Sequence, residues 1–169
     1  MMRLDSLRDV FAEQIEDLYS AEQQLVQALP KLAQAASATE LRETFEHHLE
    51  ETRGHVQRLT DILPTIGVQT PTQHCEGMEG LIREGNEVVM ASGDPTAKDA
   101  ALIAAAQRVE HYEIAAYGTA RTLADELGLD DAKDALDQIL DEESTADKLL
   151  TKIATGGLLR SGINQQAAR

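Results

Sequence analysis

Four acidic positions fall close to the midpoints of four long segments whose apolar residues recur at helical spacing. They are Glu22, Glu51, Glu113 and Glu143. Three have company one turn away: His55 follows Glu51, Glu110 precedes Glu113, and Asp147 follows Glu143. The flanking residues are mostly apolar at core spacing, so these groups should face a bundle interior. An isolated ionised carboxylate in such an interior is very costly. Several at one depth make sense when cations sit among them. The pattern therefore constrains the chain to an all-α bundle built around a dinuclear metal site.

The first helix is expected over 4–36, where Leu4, Leu7, Phe11, Ile15, Leu18, Leu25, Leu29 and Leu32 step by three and four. Pro30 lies inside this run and should kink the helix. The second spans 39–63, with Thr39 as a plausible N-cap and Pro64 and Gly67 as its stop. Residues 64–95 form a long connection in which 76–91 should make a short extra helix. The third long helix covers about 96–127 and the fourth about 130–155, ended by Gly128 and by Gly156-Gly157 respectively. Residues 1–155 thus read as one helical bundle, and 156–169 as a C-terminal tail, mobile or serving as an interface arm. Short links join helices one to two and three to four, giving antiparallel hairpins. The long middle connection can cross the bundle and make the second and third long helices parallel.

Composition agrees. Aromatic residues are 3% of the 169, and Trp is absent, which favours helices over strands. The formal net charge of −15 argues against a nucleic-acid partner. The same charge suits a solvated acidic surface and would raise the local cation concentration. One cysteine, Cys75, cannot form an internal disulfide. No signal-like or membrane-spanning apolar run occurs, so a cytoplasmic protein is expected.

The two halves share a pattern. Glu22 to Glu51 is 29 residues and Glu51 to His55 is four; Glu113 to Glu143 is 30 and Glu143 to Asp147 is four. Two pseudo-symmetric hairpins would each supply half a site. Each midpoint acid lies within about two residues of its helix centre, or roughly 3 Å at 1.5 Å per residue. Hard oxygen ligands with an imidazole suit iron or manganese, and the imidazole also admits zinc. Glu50 and Glu142 compete with Glu51 and Glu143 if the helices are rotated. His47, His48 and His111 read as surface or packing residues. The adjacent His74 and Cys75 are weak evidence for a second metal or redox site. Tyr19, Tyr112 and Tyr117 are candidates for hydrogen bonding or redox activity beside the cluster.

The motifs DLYSAEQQL (17–25), HLEETRGHVQRL (48–59), VEHYEIAAY (109–117) and LDEESTADKL (140–149) make a resemblance specific. Over residues 4–155 the chain resembles the YciE/YciF family of ferritin-like, stress-associated bacterial proteins. The resemblance implies a ferritin-like four-helix bundle with a helix in the long crossover, two metal ions and a homodimer. It also implies ferroxidase activity; iron held by such a ligand set could cycle between ferrous and ferric states and be oxidised by oxygen or peroxide. Carried over, it makes Glu22 the first-helix ligand, Glu51 a bridging carboxylate and His55 its terminal partner. Glu113, with Glu110 beside it, serves the third long helix; Glu143 mirrors Glu51, and Asp147 mirrors His55. The chain departs from the common Glu-x-x-His pattern, because Glu51 and His55 are one residue further apart and aspartate replaces the second histidine. Two other readings stay open: a non-enzymatic stress protein acting through assembly, and manganese-dependent peroxide dismutation.

Overall fold

The computed structural model describes residues 4–157 and 160–169. Its helices are α1 (Leu7–Ala35), α2 (Thr39–Ile62), α3 (Glu76–Met90), α4 (Pro95–Glu126), α5 (Asp130–Thr155) and the short α6 (Ile163–Ala167). A 3-10 turn, Leu63–Ile66, follows α2 and closes on Gly67, whose φ of 89° is left-handed. Ser6 opens α1 with a reciprocal capping box, its hydroxyl accepting from the Asp9 amide while the Asp9 carboxylate accepts from the Ser6 amide. Pro30 sits inside α1, which continues to Ala35.

The start of α2 differs from expectation. Thr39 is the first helical residue, and Ala38 occupies the cap position with no side-chain acceptor. The cap comes instead from α4. The buried Asp99 carboxylate accepts from the backbone amides of Ser37 and Ala38, at 2.8 Å each. The sequence could not show this, since the two partners are about sixty residues apart. The first turns of α2 and α4 therefore meet, and the two helices run in the same direction. The hairpins α1–α2 and α4–α5 pack together, and α3, carried by the crossover, lies over α1 and α4. This is a one-crossover four-helix bundle.

The interior seam is strict. On α2 the buried positions include Leu41, Phe45, His48, Thr52, His55, Leu59 and Ile62, stepping alternately by four and three. On α5 they include Ala132, Leu136, Ile139, Glu143, Ala146, Leu150 and Ile153 in the same rhythm. Two apolar cores result. One gathers Leu25, Leu41, Phe45, Ile103 and Ile153; the other gathers Phe11, Ile15, Leu59, Tyr117 and Leu136. The polar seam residues fall between them.

The segment read as a mobile tail or interface arm returns to the bundle in the described residues. Gly156-Gly157 pairs antiparallel with Arg160-Ser161, and Ile163 of α6 is buried in the core that contains Ile153. Gly156 has φ +75°, and a Cβ there would lie 2.3 Å from the Gly162 amide nitrogen, so the turn demands glycine. No helix is long and apolar enough to cross a membrane among the described residues.

Candidate metal centre

Each long helix delivers its polar seam residues to one level. Glu22 comes from α1, His48 and His55 from α2, Glu110 and Glu113 from α4, and Glu143 from α5; all six are buried. They form two groups that share Glu143. In one, His48, Glu110, Glu113 and Glu143 offer ligand atoms within 4.8 Å of one another; in the other, Glu22, His55 and Glu143 do so.

The two imidazoles are oriented from behind. His55 places Nε2 2.7 Å from a Glu142 oxygen, and the Arg58 guanidinium donates to both Glu142 oxygens at 2.9 Å. That leaves His55 Nδ1 facing Glu143 at 3.0 Å and Glu22 at 3.2 Å. His48 mirrors this with the opposite nitrogens. Its Nδ1 faces Glu51 at 3.3 Å, while Nε2 faces Glu110 at 3.4 Å and Glu143 at 3.6 Å. An imidazole whose outer nitrogen donates to a carboxylate keeps a lone pair on its inner nitrogen, the arrangement that metal-ligating histidines use. The Tyr117 hydroxyl donates to Glu22.

Five of the seven residues expected from sequence are brought together: Glu22, His55, Glu110, Glu113 and Glu143. Glu51 and Asp147 belong to neither group. Glu51 is a quarter exposed and meets the outer nitrogen of His48, with His47 Nδ1 3.4 Å from the same oxygen. Asp147 accepts from Gln107 at 2.9 Å and faces His111 at 3.2 Å. His48, read from sequence as a surface or packing residue, is 4% exposed and lies inside the cluster. The seam would have found it, because His48 and His55 are seven apart and in phase with Phe45 and Leu59, whereas Glu51 is not.

The electrostatics are those of a site short of positive charge. Burial pushes the Glu113 carboxyl well above the usual range, and the Glu143 and Glu22 carboxylates add to the push. Burial likewise raises Glu110 and Glu22. Burial alone would lower the pKa of His48, but the Glu110 carboxylate and the Glu51 hydrogen bond outweigh it and raise it to about 10. For His55, the Glu143 and Glu22 carboxylates facing Nδ1 outweigh burial and raise it to about 11. Protons thus take the place that cations would fill.

The donor set fits two divalent ions. Four carboxylates and two neutral imidazoles match the charge of two such ions. Buried oxygens of Glu22, Glu110, Glu113 and Glu143, together with His48 Nε2, have no hydrogen-bond partner among the described residues. Unpartnered buried polar atoms of this number are rare in folded proteins, and coordination would satisfy them. The composition equals that of di-metal carboxylate bundles, four Glu and two His, but the placement differs. Thr52 stands three residues before His55 where the Glu-x-x-His pattern has glutamate, and Ala146 stands three after Glu143 where it has histidine. The displaced functions sit one turn away, as His48 on α2 and Glu110 on α4.

Comparison with known proteins agrees with this architecture. A family described as "Domain of unknown function (DUF892)" matches residues 6–168. The chain belongs to the DUF892 family. This DUF892 member is 43% identical over 165 residues to the protein YciF of Escherichia coli (strain K12), covering 97% of this chain and 99% of YciF. The crystal structure of the E. coli stress protein YciF superposes with a TM-score of 0.85 at 45% identity, over 88% of this chain and 94% of the other. YcfI from Rhodopseudomonas palustris gives 0.85 at 39%, over 89% and 96%. A dodecameric thioferritin from Bacteroides fragilis gives 0.68 at 18% identity, over 96% and 88%, and shows that the DUF892 bundle has the ferritin-like fold.

Proposed function

We propose that the chain holds two metal ions, iron foremost, in the carboxylate–histidine cluster and oxidises ferrous iron as part of a bacterial stress response. The observation that carries this reading is the set of buried carboxylate oxygens without partners, grouped around Glu143. Glu22 and His55 would hold one ion, His48, Glu110 and Glu113 the other, and Glu143 would face both. Iron in such a site supplies one-electron chemistry. With oxygen, two ferrous ions each lose one electron, and two protons are taken up to give hydrogen peroxide. With peroxide, the same two electrons and two protons give two waters.

The protein's own residues set the conditions. Four carboxylates favour the ion of higher charge, which lowers the free energy of the ferric state relative to the ferrous. Glu142 and Glu51 fix the ring orientations of His55 and His48. The hydroxyl of Tyr117 donates to Glu22 and leaves that residue's other oxygen, Oε2, without a partner. The α2–α5 side carries the partly exposed carboxylates of Glu51 and Glu142, the latter paired with Arg58, and cations would approach from the Glu51 side of this pair. The proposal extends to a cytoplasmic homodimer, with the exposed Leu4, Leu7 and Met90 available for such contact.

Metal content and the rate of ferric-ion formation test the reading. Wild-type protein should carry iron and oxidise ferrous iron, and a Glu113→Ala, Glu143→Ala double variant should do neither. Asp147→Ala should match the wild type, because that carboxylate engages Gln107 and His111. Equal binding and rates in the double variant and the wild type would end the proposal.

A further inference from the structure

We propose that a small apolar slot beneath α3 is a docking site for dioxygen on its way to the carboxylate cluster. The proposal rests on the ferrous-oxidation reading and deepens it by naming the oxidant and its approach.

The slot is a cavity of about 20 Å³ between α1, α3 and α4. Leu25, Ala28, Leu81, Ile82, Ala106 and Val109 supply walls, and Asn86 is the one polar residue of the lining. That volume accepts one small molecule. A buried water needs two to four polar partners, and cavities lined by aliphatic side chains stay dry and take up apolar gases. The lining therefore selects a small apolar occupant over water or a cation.

Its floor is a glycine that packing does not require. Gly85 is buried in the interior of α3, yet a Cβ built there would meet no atom within 4 Å. Glycine is the poorest helix former after proline. An alanine would fit and would favour the helix; Gly80 in the same helix is equally open, but only Gly85 lines the slot. Gly77 in the same helix is different, since a Cβ there would lie 2.9 Å from the Tyr112 ring.

The slot lies at the right level. Leu25 follows Glu22 on α1 by three residues, and Ala106 and Val109 precede Glu110 and Glu113 on α4 by four. Because α1 and α4 are antiparallel, both steps lead toward the same end of the bundle, one helical turn or about 5.4 Å from the cluster. The lining beneath α3 is apolar apart from Asn86, whereas the α2–α5 side bears the Glu51 and Glu142 carboxylates. Cations and an apolar oxidant thus have opposite approaches.

Xenon and two oxidants test the slot. Wild-type crystals pressurised with xenon should show an anomalous peak among Leu25, Ile82 and Val109. Gly85→Leu should remove the peak and slow oxygen-driven ferrous oxidation several-fold. Peroxide-driven oxidation, approaching from the polar side, should be unchanged. Gly85→Ala, which suits the helix, should fold at least as well as the wild type and give a smaller loss with oxygen. No xenon in the wild-type slot, or equal slowing with both oxidants, would overturn the proposal. Xenon bound in a wild type that oxidises iron with neither oxidant would remove the ferroxidase reading and support the slot only as a gas-binding site.

Discussion

The Nε2 of His55 lies 2.7 Å from a carboxylate oxygen of Glu142, which is itself gripped by Arg58 through both oxygens. Glu142 is about a third exposed, and His55 is fully buried. The pair therefore joins the cluster to the surface. The Glu142 carboxylate is held below its usual range; burial opposes this, and the Arg58 and His55 hydrogen bonds outweigh it. It remains an anion at neutral pH and keeps the outer nitrogen of His55 protonated.

Glu142→Ala should therefore weaken metal binding by about 10–100-fold, the usual effect of removing a ligand's outer carboxylate. The metal-free protein should lose some stability as well, because the Nε2 of the fully buried His55 is left without its partner. Competition with a chromophoric chelator reads the affinity. An unchanged affinity would show that His55 needs no such support.

Metal-free and metal-loaded protein should respond oppositely to pH. His48 is raised from 6.5 to about 10, and His55 from 6.5 to about 11. Between pH 6.5 and 10 the native state holds protons that the unfolded chain has released. Stability from these groups is full below about pH 6.5 and is lost as pH rises through their folded values. Glu110 and Glu113, raised well above 4.5, contribute with the same sign from that value upward. Metal binding requires these groups to release their protons, so the stabilisation by metal should grow with pH. Calorimetry near pH 6 and near pH 9, with chelator and with metal, compares the two. A metal-free melting temperature that rises across this range would contradict the assignment.

Glu113→Gln should stabilise the metal-free protein and impair metal retention. Both Glu113 oxygens are buried without hydrogen-bond partners among the described residues. Because Gln does not ionise in the unfolded chain, the variant escapes the loss of stability that the raised Glu113 carboxyl causes above pH 4.5, and its melting temperature at neutral pH should rise by several degrees. Thermal melts in chelator and metal analysis of the same samples test the two halves together.

Asp99→Ala should do the reverse. It removes the acceptor of the Ser37 and Ala38 amides and leaves the start of α2 uncapped. The expected loss is about 1–3 kcal/mol, read as a lower urea midpoint. Metal affinity of the folded protein should stay within about threefold, or roughly 0.65 kcal/mol, since Asp99 lies several turns from Glu113.

The bundle itself was legible because apolar residues repeat at helical spacing over long stretches, and the crossover followed from connection lengths alone. Glu22, Glu113 and Glu143 were legible because each continues an apolar stripe. Glu51 and Asp147 were misplaced relative to the seam because a four-residue step from a true seam position can land on either side of it. Depth along a helix is fixed by counting residues, but rotation is fixed only by phase against every buried neighbour. Phe45, Thr52 and Leu59 set that phase on α2, and they put His48 inside. The Asp99 cap and the folding back of Ile163 depend on contacts between residues far apart in sequence, for which no local pattern exists.

The alternating seam has one more effect. A heptad-repeating bundle made only of leucine and alanine could slide by seven residues and rebury almost everything. Here a slide of α2 by one heptad would bring Phe45 or Ile62 to the depth now held by Thr52 or His55, and would set a histidine into an apolar core. In either direction one of the two imidazoles leaves the cluster, with Ile62 taking its place beside Glu22 or Leu41 taking its place beside Glu110. The polar layer thus works as a key with a single alignment, and the groups that weaken the metal-free protein also discriminate against its nearest misfolded alternatives.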